Sequence, residues 1–167
     1  MQAIKISTEA IDEGIDRKQL NLLKQRFEKL NAERLDRTSS ALPERHRTAL
    51  ALLPLLFHTN HPMLPGYISH ETPCGISGFD PGKDDIRLAQ GIARSFKIQR
   101  EPHKHRYIHS LFLMGSVGTI AHSDASDLDI WVCHKPGLSA RALGMLQKKC
   151  DRLTEWAENM GLEAHFF

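Results

Sequence analysis

The chain has 167 residues, 41% of them hydrophobic and 25% charged, with a formal net charge of +2 at neutral pH. That length suits one domain with a real core, and the composition is ordinary for a soluble globular protein. The small net charge implies no strong binding to polyanions, though a local excess of Lys and Arg could serve a triphosphate, and no apolar run approaches the roughly 18 residues of a membrane span.

Residues 1–14 show weak periodicity. Asp16 is placed to cap a helix running to about residue 36, with Leu20, Leu23, Phe27 and Leu30 as one apolar stripe. Arg17, Lys18, Lys24, Arg26 and Lys29 lie mostly off that stripe. Acids are interspersed among them, so they read as a solvated face rather than a nucleic-acid surface. Residues 38–42 form a polar link. Pro43 suits the first turn of a second helix reaching about residue 57, kinked or ended near Pro54. The two segments predict a helical hairpin, an amino-terminal extension over 1–57 packed on the catalytic unit.

Residues 58–83 are rich in Pro and Gly, yet they include Met63, Leu64, Tyr67, Ile68, Ile76 and Phe79. This predicts an ordered loop rather than plain disorder. A helix follows from Asp84 to about residue 96, with a stripe of Ile86, Ala89, Ala93 and Phe96. The connection after it carries His103 and His105, with His109 close behind. Histidines on such a connection are more often solvated than zinc-bound.

The most informative stretch is LFLMGSVGTIAHSDASDLDIWVC, residues 111–133. A strand over 108–114 runs into Gly115-Ser116, a polar loop comes next, and a second strand carries Asp127-Leu128-Asp129-Ile130. Side chains alternate along a strand, so Asp127 and Asp129 share a face. Two carboxylates so close call for a cation, and Mg²⁺ takes one or two carboxylates together with phosphate oxygens. Gly115 permits close backbone approach, and Ser116 offers a hydroxyl and an amide to a phosphate. The pattern predicts nucleotidyl transfer onto a hydroxyl and leaves open whether that hydroxyl is intramolecular, on RNA or on a small molecule. Asp124, in the intervening loop, reads as a turn residue.

Beyond the second strand, Ser139 caps a helix to about residue 160 whose buried face is Leu143, Leu146, Cys150, Leu153 and Ala157. Lys148 and Lys149 fall on this helix, and Lys148 is a candidate for the triphosphate, although lysines there more often face solvent. Gly161 ends the helix, and residues 162–167 begin a third strand. Cys74, Cys133 and Cys150 show no zinc spacing, and without a signal peptide they suit a reducing cytoplasm. Cys133 and Cys150 read as core thiols.

Gly-Ser, a ten-residue loop and Asp-Leu-Asp-Ile together resemble the signature of the polymerase-β-like nucleotidyltransferase superfamily. The longer runs are similar to something narrower. SDLDIWVCH (126–134), FHTNHPMLPGY (57–67) and PCGISGFDP (73–81) resemble the class I adenylate cyclases of gammaproteobacteria, in their amino-terminal catalytic region.

The resemblance implies an α/β (α+β) nucleotidyltransferase-like core over 84–167: a small mixed sheet packed by helices, truncated in its third strand. It implies conversion of ATP to 3′,5′-cyclic AMP and pyrophosphate. Asp127 and Asp129 would be catalytic and hold Mg²⁺, with Gly115 and Ser116 on the ATP phosphates. A third carboxylate is implied on the third strand, just past Phe167, and a carboxy-terminal regulatory region in a longer parent chain. A transferase acting on RNA or a small molecule, or a non-catalytic nucleotide-binding module, are the rival readings; the weak charge speaks against an RNA partner.

Overall fold

In a computed structural model, which describes residues 14, 16–98, 106–119 and 127–167, the first helix starts at the expected cap. It is α1 (Arg17–Ala41). The Asp16 carboxylate accepts the Gln19 N–H at 2.7 Å, and the Gln19 side chain accepts the Asp16 N–H at 3.3 Å. This reciprocal pair satisfies two amides that the helix start leaves open. The helix does not stop near residue 36. It takes in most of the expected polar link, where the Thr38 hydroxyl donates to the Arg34 carbonyl at 2.9 Å. The expected apolar stripe is also not inside: Leu20, Leu23, Phe27 and Leu30 are 44%, 49%, 55% and 62% exposed. α1 meets the rest of the chain chiefly through its last turns, where Thr38 is fully buried.

Helix α2 (Glu44–His58) begins directly after Pro43. Pro54 lies inside it and does not end it. Its Leu52, Leu55, Leu56 and Phe57 are buried and form the centre of the larger core cluster. Between α2 and the next helix the Pro/Gly-rich stretch has no helix or named strand, yet it is tied down. Leu64 and Ile76 are buried, the Gly75 N–H donates to the Phe57 carbonyl at 3.1 Å, and the Ile76 N–H donates to His58 Nδ1 at 3.1 Å. Helix α3 (Lys83–Ile92) begins where Asp85 accepts the Gly82 N–H at 2.7 Å. It ends before the expected residue 96, and Phe96 reaches the core from the turn beyond it.

Three strands form one sheet in the order β1 (Ile108–Leu113), β2 (Leu128–His134), β3 (Ala164–Phe166). β1 pairs antiparallel with β2, and β2 pairs parallel with β3. The sheet is therefore mixed and the fold α+β, as expected. Helix α4 (Ala140–Glu158) makes the crossover that the parallel pair requires. Ser139 caps it by accepting the Ala142 N–H at 3.2 Å, and Gly161, at φ +74°, turns the chain out of it. Leu143 is 39% exposed, against expectation; burial along α4 begins one turn later, at Leu146.

Alternation sorts the sheet into two faces. Leu128, Ile130 and Val132 are buried, and Leu128 and Ile130 pack in a cluster with Ala49 and Leu53 of α2 and Ala157 of α4. Asp129, Trp131 and Cys133 take the opposite face, where Trp131 is 50% exposed. Cys133 is therefore half-buried on the open side rather than a core thiol, whereas Cys150 is buried as expected.

Inside the core sits a charge. Lys149 is 1% exposed, and its Nζ donates to the Thr59 carbonyl and to Asn60 Oδ1, each at 3.0 Å, over the Phe57 ring. Burial pushes this ammonium down from 10.5 to about 8, against weaker support from the neighbouring Cys74 and Cys150 thiols. Burial raises both thiols, Cys150 to about 12. The signs oppose each other. Between about pH 8 and 10.5 the unfolded chain keeps the lysine proton that the folded chain has shed, so this group makes stability rise with pH. From about pH 9 the unfolded chain also sheds thiol protons that the folded chain retains, which opposes the rise. Urea midpoints measured from pH 7 to 10.5 are expected to rise from about pH 8 and to level off above about pH 9, and Lys149→Met is expected to remove the rise.

Candidate functional site

Acids gather at the start of β2 and β3 because the two strands run parallel and in register. Asp129 lies beside His165, and Leu128 beside Ala164. The Leu128 N–H bonds to the Glu163 carbonyl at 2.9 Å, which brings Asp127 next to Glu163. Asp127, Glu163 and His165 offer ligand atoms that all lie within 4.8 Å of one another. His165 Nε2 is 3.4 Å from Glu163 Oε1. With Asp129, these residues occupy neighbouring positions on the open face, two per strand.

On its other side Asp129 adjoins the loop that follows β1. Pairing of β1 with β2 continues to Met114, whose N–H donates to the Asp129 carbonyl at 2.7 Å. The next residue, Gly115, has φ +74°, and a Cβ built there would lie 3.1 Å from Asp129 Oδ2. The missing side chain leaves that carboxylate room beside the loop.

The loop itself is held from behind. Arg34 donates from Nη2 to the Gly115 carbonyl at 2.8 Å and from Nε to the Val117 carbonyl at 2.9 Å. Arg37 Nε donates to the Gly118 carbonyl at 3.0 Å. The Ser116 carbonyl accepts the Thr119 N–H at 3.0 Å and the Thr119 hydroxyl at 2.6 Å. Gly118, at φ +72°, has its Cα against the α1 backbone; a Cβ there would meet the Arg34 carbonyl at 2.5 Å.

Of the residues singled out in the sequence, the structure brings Gly115, Ser116, Asp127 and Asp129 to one region. It does not bring Lys148 there. Lys148 is exposed on α4, the helix that packs against the opposite face. Asp124, Ser126, His103 and His105 lie outside the described residues, and His109 is exposed on β1. Glu163, His165, Arg34 and Arg37 were not singled out as site residues. A signal for the arginines exists: the 20, 23, 27, 30 spacing continues to 34 and 37, where the apolar residues give way to arginine. An apolar cavity of about 300 Å³ lies between α1, α2 and the sheet, lined by Leu35, Leu50, Pro54, Leu111 and Ile130 among others. It includes no acid and belongs to the buried side of the sheet.

Comparison with known proteins identifies the family of the chain. The family described as the adenylate cyclase NT domain matches residues 19–167. The chain is 35% identical over 150 residues to an adenylate cyclase of Escherichia coli strain K12, covering 89% of this chain and 18% of that protein. The adenylate cyclase of Salmonella typhimurium strain LT2 gives the same identity and coverage. That of Yersinia pestis is 34% identical, again over 89% of this chain and 18% of its own length. The chain thus spans about a fifth of the length of these relatives. No solved structure matches it. No helix among the described residues is long and apolar enough to cross a membrane.

Proposed function

Since the chain belongs to the adenylate cyclase amino-terminal domain family, we propose that it carries the nucleotide site of an enzyme that cyclises ATP to 3′,5′-cyclic AMP with release of pyrophosphate. The observation that carries this reading is the joint placement of Gly115 against Asp129 and of Asp127 beside Glu163 and His165, on the one open face of the sheet.

The donor set fits Mg²⁺. Two carboxylates, Asp127 and Glu163, gather with one imidazole, Asp129 follows on the same face of β2, hard oxygen donors suit that ion, and the cradle at Gly115 leaves space for a phosphate oxygen. Asp127, Asp129 and Glu163 would hold it, and when bound it supplies positive charge to the triphosphate and acidifies the ribose hydroxyl. Glu163 takes the role expected of a carboxylate past Phe167. The Phe167 N–H donates to the Ile130 carbonyl, and the Val132 N–H donates to the Phe167 carbonyl, so Phe167 pairs with Trp131. The next residue on that face would stand level with Cys133, about 13 Å along the strand from Asp129. That is too far to share an ion with Asp127.

In the proposed reaction the loop at Gly115-Ser116 orients the β- and γ-phosphates. The 3′-oxygen bonds to the α-phosphorus, the bond from that phosphorus to the β-phosphate oxygen breaks, and pyrophosphate leaves. The hydroxyl proton passes to a carboxylate of the acidic group. The remainder of the longer protein would carry regulation, and the reaction belongs in the cytoplasm, where ATP is.

The test is calorimetric titration of the chain with a non-hydrolysable ATP analogue, with and without Mg²⁺, beside an Asp127→Asn, Asp129→Asn double variant. Mg²⁺-dependent binding is expected for the chain, with at least a hundredfold loss in the variant. Binding that is indifferent to Mg²⁺ and to both substitutions would reject the site. In the longer enzyme, cyclic AMP formed without an added acceptor separates cyclisation from transfer to RNA or to a small alcohol.

A further inference from the structure

We propose that Arg34 and Arg37 of α1 are positioning residues for the phosphate-binding loop: they hold the Gly115, Val117 and Gly118 carbonyls toward the helix, so that the backbone of the loop turns its amides at 116 and 118 to the nucleotide. The proposal rests on the reading of Gly115-Ser116 as the phosphate loop and adds residues to it from a helix some eighty positions earlier in the chain.

The argument starts from the peptide unit. In a trans peptide the C=O and the N–H of the next residue point in opposite directions. Arg34 draws the Gly115 and Val117 carbonyls toward α1, so the amides of Ser116 and Gly118 are turned away from it. Arg37 draws the Gly118 carbonyl in the same direction, and the Ser116 carbonyl is taken up within the loop by Thr119. Each carbonyl from 115 to 118 therefore has a donor other than a ligand. This matters for an anion, because a carbonyl oxygen facing a phosphate repels it, whereas backbone amides turned toward it attract it. The two glycines with positive φ, Gly115 and Gly118, bracket the segment and allow the turn.

Two further observations show that the clamp is built rather than incidental. Gly118 approaches α1 so closely that any side chain would strike the Arg34 carbonyl or the Thr38 hydroxyl, and Thr38 is completely buried. Arg34 uses two nitrogens of one guanidinium on two carbonyls, a planar fork that lysine cannot reproduce. The two guanidinium charges also lie behind the loop, where they raise the potential felt by a triphosphate.

The experiment compares the chain with Arg34→Ala, Arg34→Lys and Arg37→Ala. Each is titrated with Mg²⁺ and the ATP analogue, and amide hydrogen exchange is followed residue by residue. Arg34→Ala is expected to bind roughly 10- to 100-fold more weakly. Amides 116–119 are expected to exchange faster while those of β2 and α4 keep their protection, which shows that the fold persists. Methylguanidinium added to Arg34→Ala is expected to restore part of the affinity, and Arg34→Lys to recover little, because charge alone does not supply the fork. Arg37→Ala, with a single bond lost, is expected to show a smaller effect in the same direction. Unchanged affinity in Arg34→Ala, beside a wild-type chain that binds, would overturn the proposal and leave the nucleotide site standing. A wild-type chain that binds no nucleotide, with the loop protected by Arg34 all the same, would overturn the nucleotide reading and with it this role for the arginines.

Discussion

Lys149→Ala is expected to destabilise the chain by about 3–5 kcal/mol, the range for a large-to-small change in a core that also strips partners from buried polar groups. The side chain fills space against Phe57 and ends on the Thr59 carbonyl and Asn60 Oδ1. Alanine would leave a cavity under α4 and two acceptors without their donor. Lys149→Met separates the terms. It keeps the apolar stem, loses the ammonium, and is expected to cost about 1–3 kcal/mol at pH 7, the penalty for unsatisfied acceptors, offset in part by removing a buried charge. Urea denaturation of the three proteins checks this. Equal stability of all three would mean that the lysine contributes nothing to the join between α4 and the end of α2.

Gly115→Ala is expected to act on the site and hardly on the fold. At φ +74° an L side chain costs about 1–2 kcal/mol, and its Cβ would sit 3.1 Å from Asp129 Oδ2. The loop is exposed at Gly115, so it can shift without disturbing the core. The shift moves the carboxylate or the backbone that the phosphates need. Affinity for the Mg²⁺–ATP analogue is expected to fall by about a hundredfold, with unfolding made easier by no more than that strain of about 1–2 kcal/mol. Gly144→Ala, on an α4 position with open space around it, is the matched control and should bind normally. Full affinity in Gly115→Ala would mean that the phosphates do not approach the loop at that residue.

These two positions also show how far the sequence could be read. The apolar spacing of α4 marked Leu143, Leu146, Cys150, Leu153 and Ala157 as its buried face and left both lysines to solvent. Lys149 is buried instead, because a carbonyl and an amide lie within reach of its ammonium and satisfy it. The strand–loop–strand and its two aspartates were legible because alternation is local and strict. The place of Glu163 was not legible. It depends on the parallel register of β3 on β2, a fact of pairing between segments that a single segment does not encode. The stripe of α1 failed for a related reason. An i, i+3, i+7 pattern shows that a helix has an apolar face and says nothing of what lies against it. Here Phe27 meets Phe112, ring centroids 6.4 Å apart, and Leu20, Leu23 and Leu30 face outward.

The bond between Arg34 and the Val117 carbonyl joins residues 83 positions apart. Closing so long a stretch costs chain entropy on the order of 4 kcal/mol, which must be met before the contact returns anything. Local helices form first and long-range pairings slowly, so α1 and α2 can be in place well before the loop closes on them. A ribosome delivering this chain would release α1 some eighty residues ahead of the loop it clamps. Throughout that interval the two guanidiniums wait in water. The loop from Gly115 to Gly118 takes its shape only when the sheet has assembled and the chain has returned to α1.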